Sequence, residues 1–186
     1  MPEFTCKECG KIYKREFYYK KHMKEKHGID VDKKDIGKNR NITDQFYTKI
    51  EVSKKCINYL LEYLNIDKNE LIIEPSAGSG SFSDYFKENN FKIDSYDIEP
   101  KKQYIKKIDF LQLDVTEYIN NDNKIHSVGN PPFGKQSSLA KKFIKKSALY
   151  SDTISFILPK SFRKTSYQKA FPLNFHLVKE LELENN

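Results

Sequence analysis

Near residue 45 the spacing of apolar positions changes from aperiodic to regular. Ile50, Val52, Ile57, Leu60, Leu61 and Leu64 recur at helical intervals and predict an amphipathic helix. Thr48 followed by Glu51 has the form of a capping box, which predicts a helix start near Lys49. The run ELIIEPSAGSGSFSDYF predicts a short buried strand, a turn with two glycines and a second helix. FKIDSYDIEP and IKKIDFLQLD predict two more strands and IHSVGNPPFG a fourth; SLAKKFIKKSALY reads as a helix and TISFILPKSF as a further strand. Strands alternating with helices predict an α/β fold, a doubly wound parallel sheet with helices on both faces. Ligands on such sheets bind outside the carboxyl ends of the strands.

Ahead of this region, residues 29–44 are polar, charged and aperiodic, and read as a linker between a small unit at 1–28 and a larger one at 45–186. At 186 residues and 38% hydrophobic content, the chain can bury one medium core and a small satellite. No apolar run reaches the roughly 18 residues of a membrane span, and polar residues follow Met1 where a signal peptide would be apolar. A soluble, intracellular protein without a membrane partner is expected, in the cytoplasm or nucleus. Three cysteines, two of them close together, do not make a disulfide framework and point to metal binding. Cys56, inside the first helical pattern, reads as a small buried hydrophobe. The net charge of +7, carried almost wholly by lysine, favours a polyanionic partner, with nucleic acid the leading candidate.

Residues 4–27 place Cys6, Cys9, His22 and His27 in the spacing C-x2-C-x12-H-x4-H. Two thiolates on a short hairpin and two imidazoles about one helical turn apart converge on a tetrahedral Zn2+ ion. Phe4, Tyr13 and Tyr19 supply the apolar framework. This segment resembles a C2H2 zinc finger, a ββα unit, with Tyr19 where that family usually carries leucine. By the family's pattern Arg15, Tyr18 and Lys21 face bases, with Lys14, Lys20 and Lys24 near phosphates. A single finger covers about three base pairs, so its part is that of an accessory clamp on nucleic acid or a protein docking site.

In the larger unit, Gly78 and Gly80 directly follow the first strand, where a backbone can approach a ligand closely. Glu74 ends that strand and Asp97 ends the next, where a carboxylate accepts from ribose hydroxyls of either a dinucleotide or an adenosyl cofactor. The third glycine of a dinucleotide fingerprint is missing near Ser83.

Asn130 falls at the end of the fourth strand, and Pro131 and Pro132 hold the following turn rigid. The amide oxygen of Asn130 and the carbonyl oxygen of Pro131 can grip both hydrogens of one planar NH2 group, polarising its nitrogen toward an electrophile. Phe133 offers a face on which a flipped-out base can stack.

From about Gln45 to Leu183 the chain resembles the S-adenosylmethionine-dependent amino-methyltransferases, in particular the N6-adenine class with its NPPF motif, and most closely those of large DNA viruses. The resemblance implies a Rossmann-like methyltransferase sheet. It makes QFYT (Phe46, Tyr47, Thr48) the segment that closes over the cofactor, and EPSAGSG (Glu74, Ser76, Gly78, Gly80) the cofactor loop. YDIEP, with Asp97 and Ile98, becomes the ribose-binding motif. Asp109 and Phe110 would border the cofactor's adenine, Asn130 the cofactor crevice, and Asn130, Pro131, Pro132 and Phe133 form the catalytic motif. Two further implications concern what the chain departs from. The family's sheet ends in a final antiparallel hairpin, and FHLVKELELENN stops short of the last strand. No separate target-recognition domain is expected from this sequence either, which would leave substrate choice to the finger, to a partner protein or to Lys141, Lys142, Lys145 and Lys146, which read first as an ordinary solvated face. The expected activity is methyl transfer to adenine N6 in DNA or RNA, in the cytoplasm, the nucleus or a viral factory. Two alternatives stand beside it: methylation of a glutamine amide in a protein, and a non-catalytic zinc-finger nucleic-acid-binding module on an incomplete methyltransferase fold.

Overall fold

The structure, a computed structural model, describes residues 4–6, 8–13, 16–27, 47–119 and 123–184. The chain divides into two compact units, Met1–Thr43 and Asp44–Asn186. Arg15, Lys14 and Phe46, each given a role above, lie outside the described residues.

In the first unit, β1 (Phe4–Thr5) pairs antiparallel with β2 (Ile12–Tyr13), and α1 (Glu16–His27) follows. Gly10, at φ +73°, turns the hairpin, and Cys6 N donates to Lys11 O at 2.8 Å across it. So small a unit has little apolar core, and what it has is aromatic. Phe4 and Tyr19 stack with ring centroids 5.9 Å apart, and Tyr13 lies 6.3 Å from Tyr19 and 5.0 Å from His22. Met23, which the sequence pattern did not single out, is buried with its sulfur 3.4 Å from Cys6 Sγ.

The second unit is built on five parallel strands: β3 (Leu71–Glu74), β4 (Lys92–Asp97), β5 (Lys106–Lys107), β6 (Ile125–Gly129) and β7 (Thr153–Phe156). Their order is β5-β4-β3-β6-β7, so the chain starts at the centre, winds outward to one side, then crosses back and winds to the other. The sheet is Rossmann-like, with an order that matches a methyltransferase fold, and a zinc-finger-like ββα unit precedes it in the chain, as the sequence predicts. Among the described residues no strand follows β7. The third predicted strand is reduced to two residues, because IDFLQLD leaves the sheet for a 3-10 turn at Phe110–Gln112.

Alternation along the buried strands sends neighbouring side chains to opposite faces. On β3, Ile72 packs with Ile57 and Leu60 of α2 (Ile50–Tyr63) and with Phe82 and Phe86 at α3 (Ser83–Glu88). Ile73 packs on the other face with Tyr96, Phe110, Ile125 and Phe143 of α5 (Ser138–Ser147), beyond the short α4 (Thr116–Ile119). Cys56 is half-buried against the first of these clusters, and burial pushes its thiol pKa up, in keeping with an inert packing residue. A third cluster joins Ala140 and Ile144 of α5 to Phe162 and Ala170, which flank α6 (Thr165–Gln168).

One expectation about α2 fails. Its N-cap is Lys49, with no side-chain cap bond, and Thr48 does not close a capping box with Glu51. The Thr48 hydroxyl is taken by a partner 82 residues away, the side chain of Asn130.

Candidate functional site

The strand order reverses between β3 and β6, and the candidate site lies at their carboxyl ends. Ser76, just past β3, donates from its hydroxyl to the backbone carbonyl of Asn130, just past β6, at 3.2 Å. Gly78 and Gly80 both have positive φ, +52° and +85°, so the turn leading to α3 is one that L side chains rarely adopt. Asp97, ending β4 and 8% exposed, pins this turn by accepting from Gly78 N at 2.7 Å and from Glu99 N at 2.8 Å. Ile98 beside it is 54% exposed, an apolar side chain facing solvent at a strand's carboxyl end.

Gly80 is held from behind. A Cβ there would stand 2.6 Å from Tyr104 Oη, whose hydroxyl donates to Asp84 on α3, with Lys102 paired to the same carboxylate. A Gly80→Ala variant is therefore expected to lose roughly 1–3 kcal/mol of stability through strain at positive φ combined with this clash. Urea unfolding would check it, and a wild-type midpoint would mean that the turn relaxes freely.

Glu74 is 1% exposed, beneath the turn. Its carboxyl accepts from the Ser83 hydroxyl, which also lies 2.6 Å from the Ser95 hydroxyl on β4. Burial pushes its pKa up to about 8, so at neutral pH it is mostly uncharged. A Cβ on Gly129 would approach Glu74 Cγ to 3.3 Å, so the glycine at φ +144° makes room for this side chain at the end of β6. Sequence spacing alone does not find Ser83, Ser95 or Tyr104, because each acts across the sheet and not along the chain.

The segment before α2 packs against both the turn and Asn130. The Tyr47 ring lies 3.4 Å from where a Gly78 Cβ would be, and Thr48 O accepts from the Ser81 hydroxyl at 2.7 Å. Asn130 Nδ2 donates to Thr48 Oγ1 at 3.2 Å, while Asn130 Oδ1 is buried and has no hydrogen-bond partner among the described residues. Such an orphan costs about 1–3 kcal/mol until a donor arrives. Pro131 is fully buried, which fixes the turn behind the amide. The Phe133 ring is half-buried against the third cluster, and its carbonyl oxygen accepts from Leu139 N at 3.1 Å and Ala140 N at 3.3 Å, tying the motif to α5. Between them Gly134, Gln136 and Ser137 all take positive φ.

Ser76, Gly78, Gly80, Asp97, Asn130, Tyr47 and Thr48 are thus brought to one corner of the sheet. Two other predicted residues sit differently. Phe110 is 1% exposed and packs on Phe143 at 5.3 Å, inside the second core cluster. Asp109 is exposed and accepts from Leu111 N at 2.9 Å, capping its own 3-10 turn. Two surface depressions, of about 360 Å3 near Tyr118 and Asp152 and about 500 Å3 beside Lys54 and Leu181, lie away from this corner. On α5, Lys142 and Lys145 are exposed, Lys141 lies 3.9 Å from the Tyr167 ring centroid, and Lys146 donates to Leu113 O.

In the first unit Cys6 Sγ lies 3.5 Å from His27 Nε2, Cys9 Sγ 3.2 Å from His22 Nε2, and the two Nε2 atoms are 3.2 Å apart. All four donors fall within 4.8 Å of one another. A tetrahedral zinc ion with bonds of about 2.0–2.3 Å holds its ligand atoms about 3.3–3.8 Å apart, so this donor set fits one. Burial pushes the Cys6 thiol up, but backbone hydrogen bonds from Cys9 and Glu8 outweigh it and the net direction is down. Burial and the neighbouring His27 push His22 down. Both directions favour the ligating forms, thiolate and neutral imidazole. Of the predicted base-facing residues, Tyr18 is 53% exposed and Lys21 is exposed, 3.9 Å from Glu25.

Comparison with protein-family models, curated protein sequences and solved structures gives no match to this chain. Among the described residues, no helix is long and apolar enough to cross a membrane.

Proposed function

We propose that this chain is an S-adenosylmethionine-dependent methyltransferase acting on the N6 amine of adenine in DNA or RNA, with a zinc-bearing finger as accessory clamp. The observation that carries the reading is the buried, unpartnered Oδ1 of Asn130 at the switch point of a Rossmann-like sheet. An acceptor left empty there is satisfied by an incoming N–H, and a planar amino group brings two. Asn130 Oδ1 takes one hydrogen and the carbonyl oxygen of Pro131 the other, so the nitrogen is oriented without a strong base. The amide is too weakly basic to keep the surplus proton, which passes to solvent. Phe133 provides the stacking face for the base, and Pro132 holds the turn.

The glycine turn at Gly78 and Gly80, with Ser76, would hold the cofactor's amino-acid end. Asp97 would accept from the ribose hydroxyls, and Ile98 would cover the adenine ring. Bound S-adenosylmethionine would supply a methyl group on a positively charged sulfur, the electrophile of the reaction. The fit rests on the orphaned amide oxygen, on the two glycines that turn at positive φ past the end of β3, and on the exposed isoleucine beside Asp97. Asp97→Ala is expected to weaken cofactor affinity about tenfold or more, having removed a charge-assisted acceptor worth about 1.5–3 kcal/mol. Calorimetry with S-adenosylhomocysteine would check this, and unchanged affinity would remove Asp97 from the site.

The test of the function is incubation with labelled cofactor and a mixture of oligonucleotides and peptides, followed by mass analysis. Label in N6-methyladenosine supports the reading. Label in N5-methylglutamine moves the substrate to protein. Failure to bind S-adenosylhomocysteine favours a non-catalytic nucleic-acid-binding module.

A further inference from the structure

The side chain of Asn130 has an acceptor end and a donor end of nearly the same shape, and the end that meets the substrate decides what the site accepts. With Oδ1 presented, an amino group fits. With Nδ2 presented, donor faces donor and the amino group is repelled. The amide is therefore best anchored by its nitrogen end.

Thr48 is the side chain in contact with the donor end, with Asn130 Nδ2 3.2 Å from Thr48 Oγ1. Thr48 is itself fixed on both sides. Its carbonyl accepts from the Ser81 hydroxyl in the glycine turn, and the next residue, Lys49, caps α2, accepting from Ser53 N at 3.0 Å. The N-cap of α2, Lys49, makes no side-chain bond although a threonine is adjacent. Thr48 meets the amide with its hydroxyl instead.

We propose that Thr48 is a positioning residue that anchors the Asn130 side chain through Nδ2 and so leaves Oδ1 for the substrate amino group. This rests on the reading of Asn130 as the amino-group acceptor, and it gives Thr48 a part different from the cofactor contact its motif implies. It also links the glycine turn to the amide, because Ser81 and Asn130 are held by the same residue.

Two variants separate the possibilities. Thr48→Val keeps the shape and loses the hydroxyl; Thr48→Ser keeps the hydroxyl. Thr48→Val is expected to lower kcat about tenfold or more, the scale of a misplaced reacting group, with cofactor affinity within about threefold. Thr48→Ser should restore most of the rate. Independently of turnover, hydrogen exchange of the Asn130 side-chain amide, assigned by its loss in Asn130→Ala, should be slow in wild type and Thr48→Ser and several-fold faster in Thr48→Val. Equal exchange in all three overturns the proposal, as does a fall in cofactor affinity that matches the fall in rate, which would make Thr48 a cofactor ligand. A wild-type chain that methylates no amino acceptor while its exchange pattern holds overturns the reading of the site, and with it the purpose given to Thr48.

Discussion

Replacing Asn130 by alanine is expected to lower kcat for methyl transfer by about a hundred- to a thousand-fold, the usual cost of deleting a preorganised polar group aimed at the reacting atoms. Affinity for S-adenosylhomocysteine should stay within a few fold, because the glycine turn, Asp97 and Ile98 remain. The fold should survive as well. Asn130 Oδ1 has no protein partner to lose, and the one bond broken, to Thr48 Oγ1, is a single hydrogen bond of net value about 1 kcal/mol. Kinetics and calorimetry on one preparation would test both halves. Equal loss of rate and of cofactor affinity would mean that Asn130 holds the cofactor and not the amine.

The second large effect concerns the finger. Cys6→Ser, or removal of metal by a chelator, is expected to unfold residues 4–27, because their apolar core is little more than three aromatic rings and Met23. Zinc binding at such sites is worth an apparent 10–16 kcal/mol or so, far more than those contacts supply. The larger unit has its own three clusters and is expected to keep its melting transition. Amide spectra before and after chelation would decide. Persistence of dispersed finger resonances without metal would remove zinc as the source of that unit's stability. Activity of the same variant on a naked oligonucleotide would then test the clamp: an unchanged rate would exclude it for that substrate.

Much of this architecture was legible in the sequence, for reasons that differ from place to place. The finger is local: four ligands and three rings lie within 24 residues, so spacing alone carries it. The sheet was legible because β3 opens on an apolar run, Leu71–Ile73, and α2 and α5 carry helical periodicity, although β6 holds the polar His126 and Ser127 within a buried strand. What escaped is what acts across the sheet. Thr48 has the local form of a cap, and only the closeness of β6 to the segment before α2 reveals that its hydroxyl serves Asn130. Gly80 owes its constraint to Tyr104, 24 positions later, and Glu74 owes its neutral state to burial, against the pull of its hydrogen bond from Ser83 on α3. Phe110 is placed by its packing as much as by its motif. The resemblance points it to the cofactor's adenine, and its side chain packs on Phe143 and Tyr150 in the core, a contact that spacing along the chain does not show.

The central claim is that the empty acceptor on Asn130 is the seat of a substrate amino group. The most direct measurement is a crystal structure of the chain with S-adenosylhomocysteine and adenosine, read at one distance. The account predicts adenosine N6 at hydrogen-bonding range of Asn130 Oδ1, about 2.8–3.1 Å, with Nδ2 still on Thr48. Adenosine bound elsewhere, or Oδ1 turned to the Thr48 hydroxyl with Nδ2 facing the base, would contradict it.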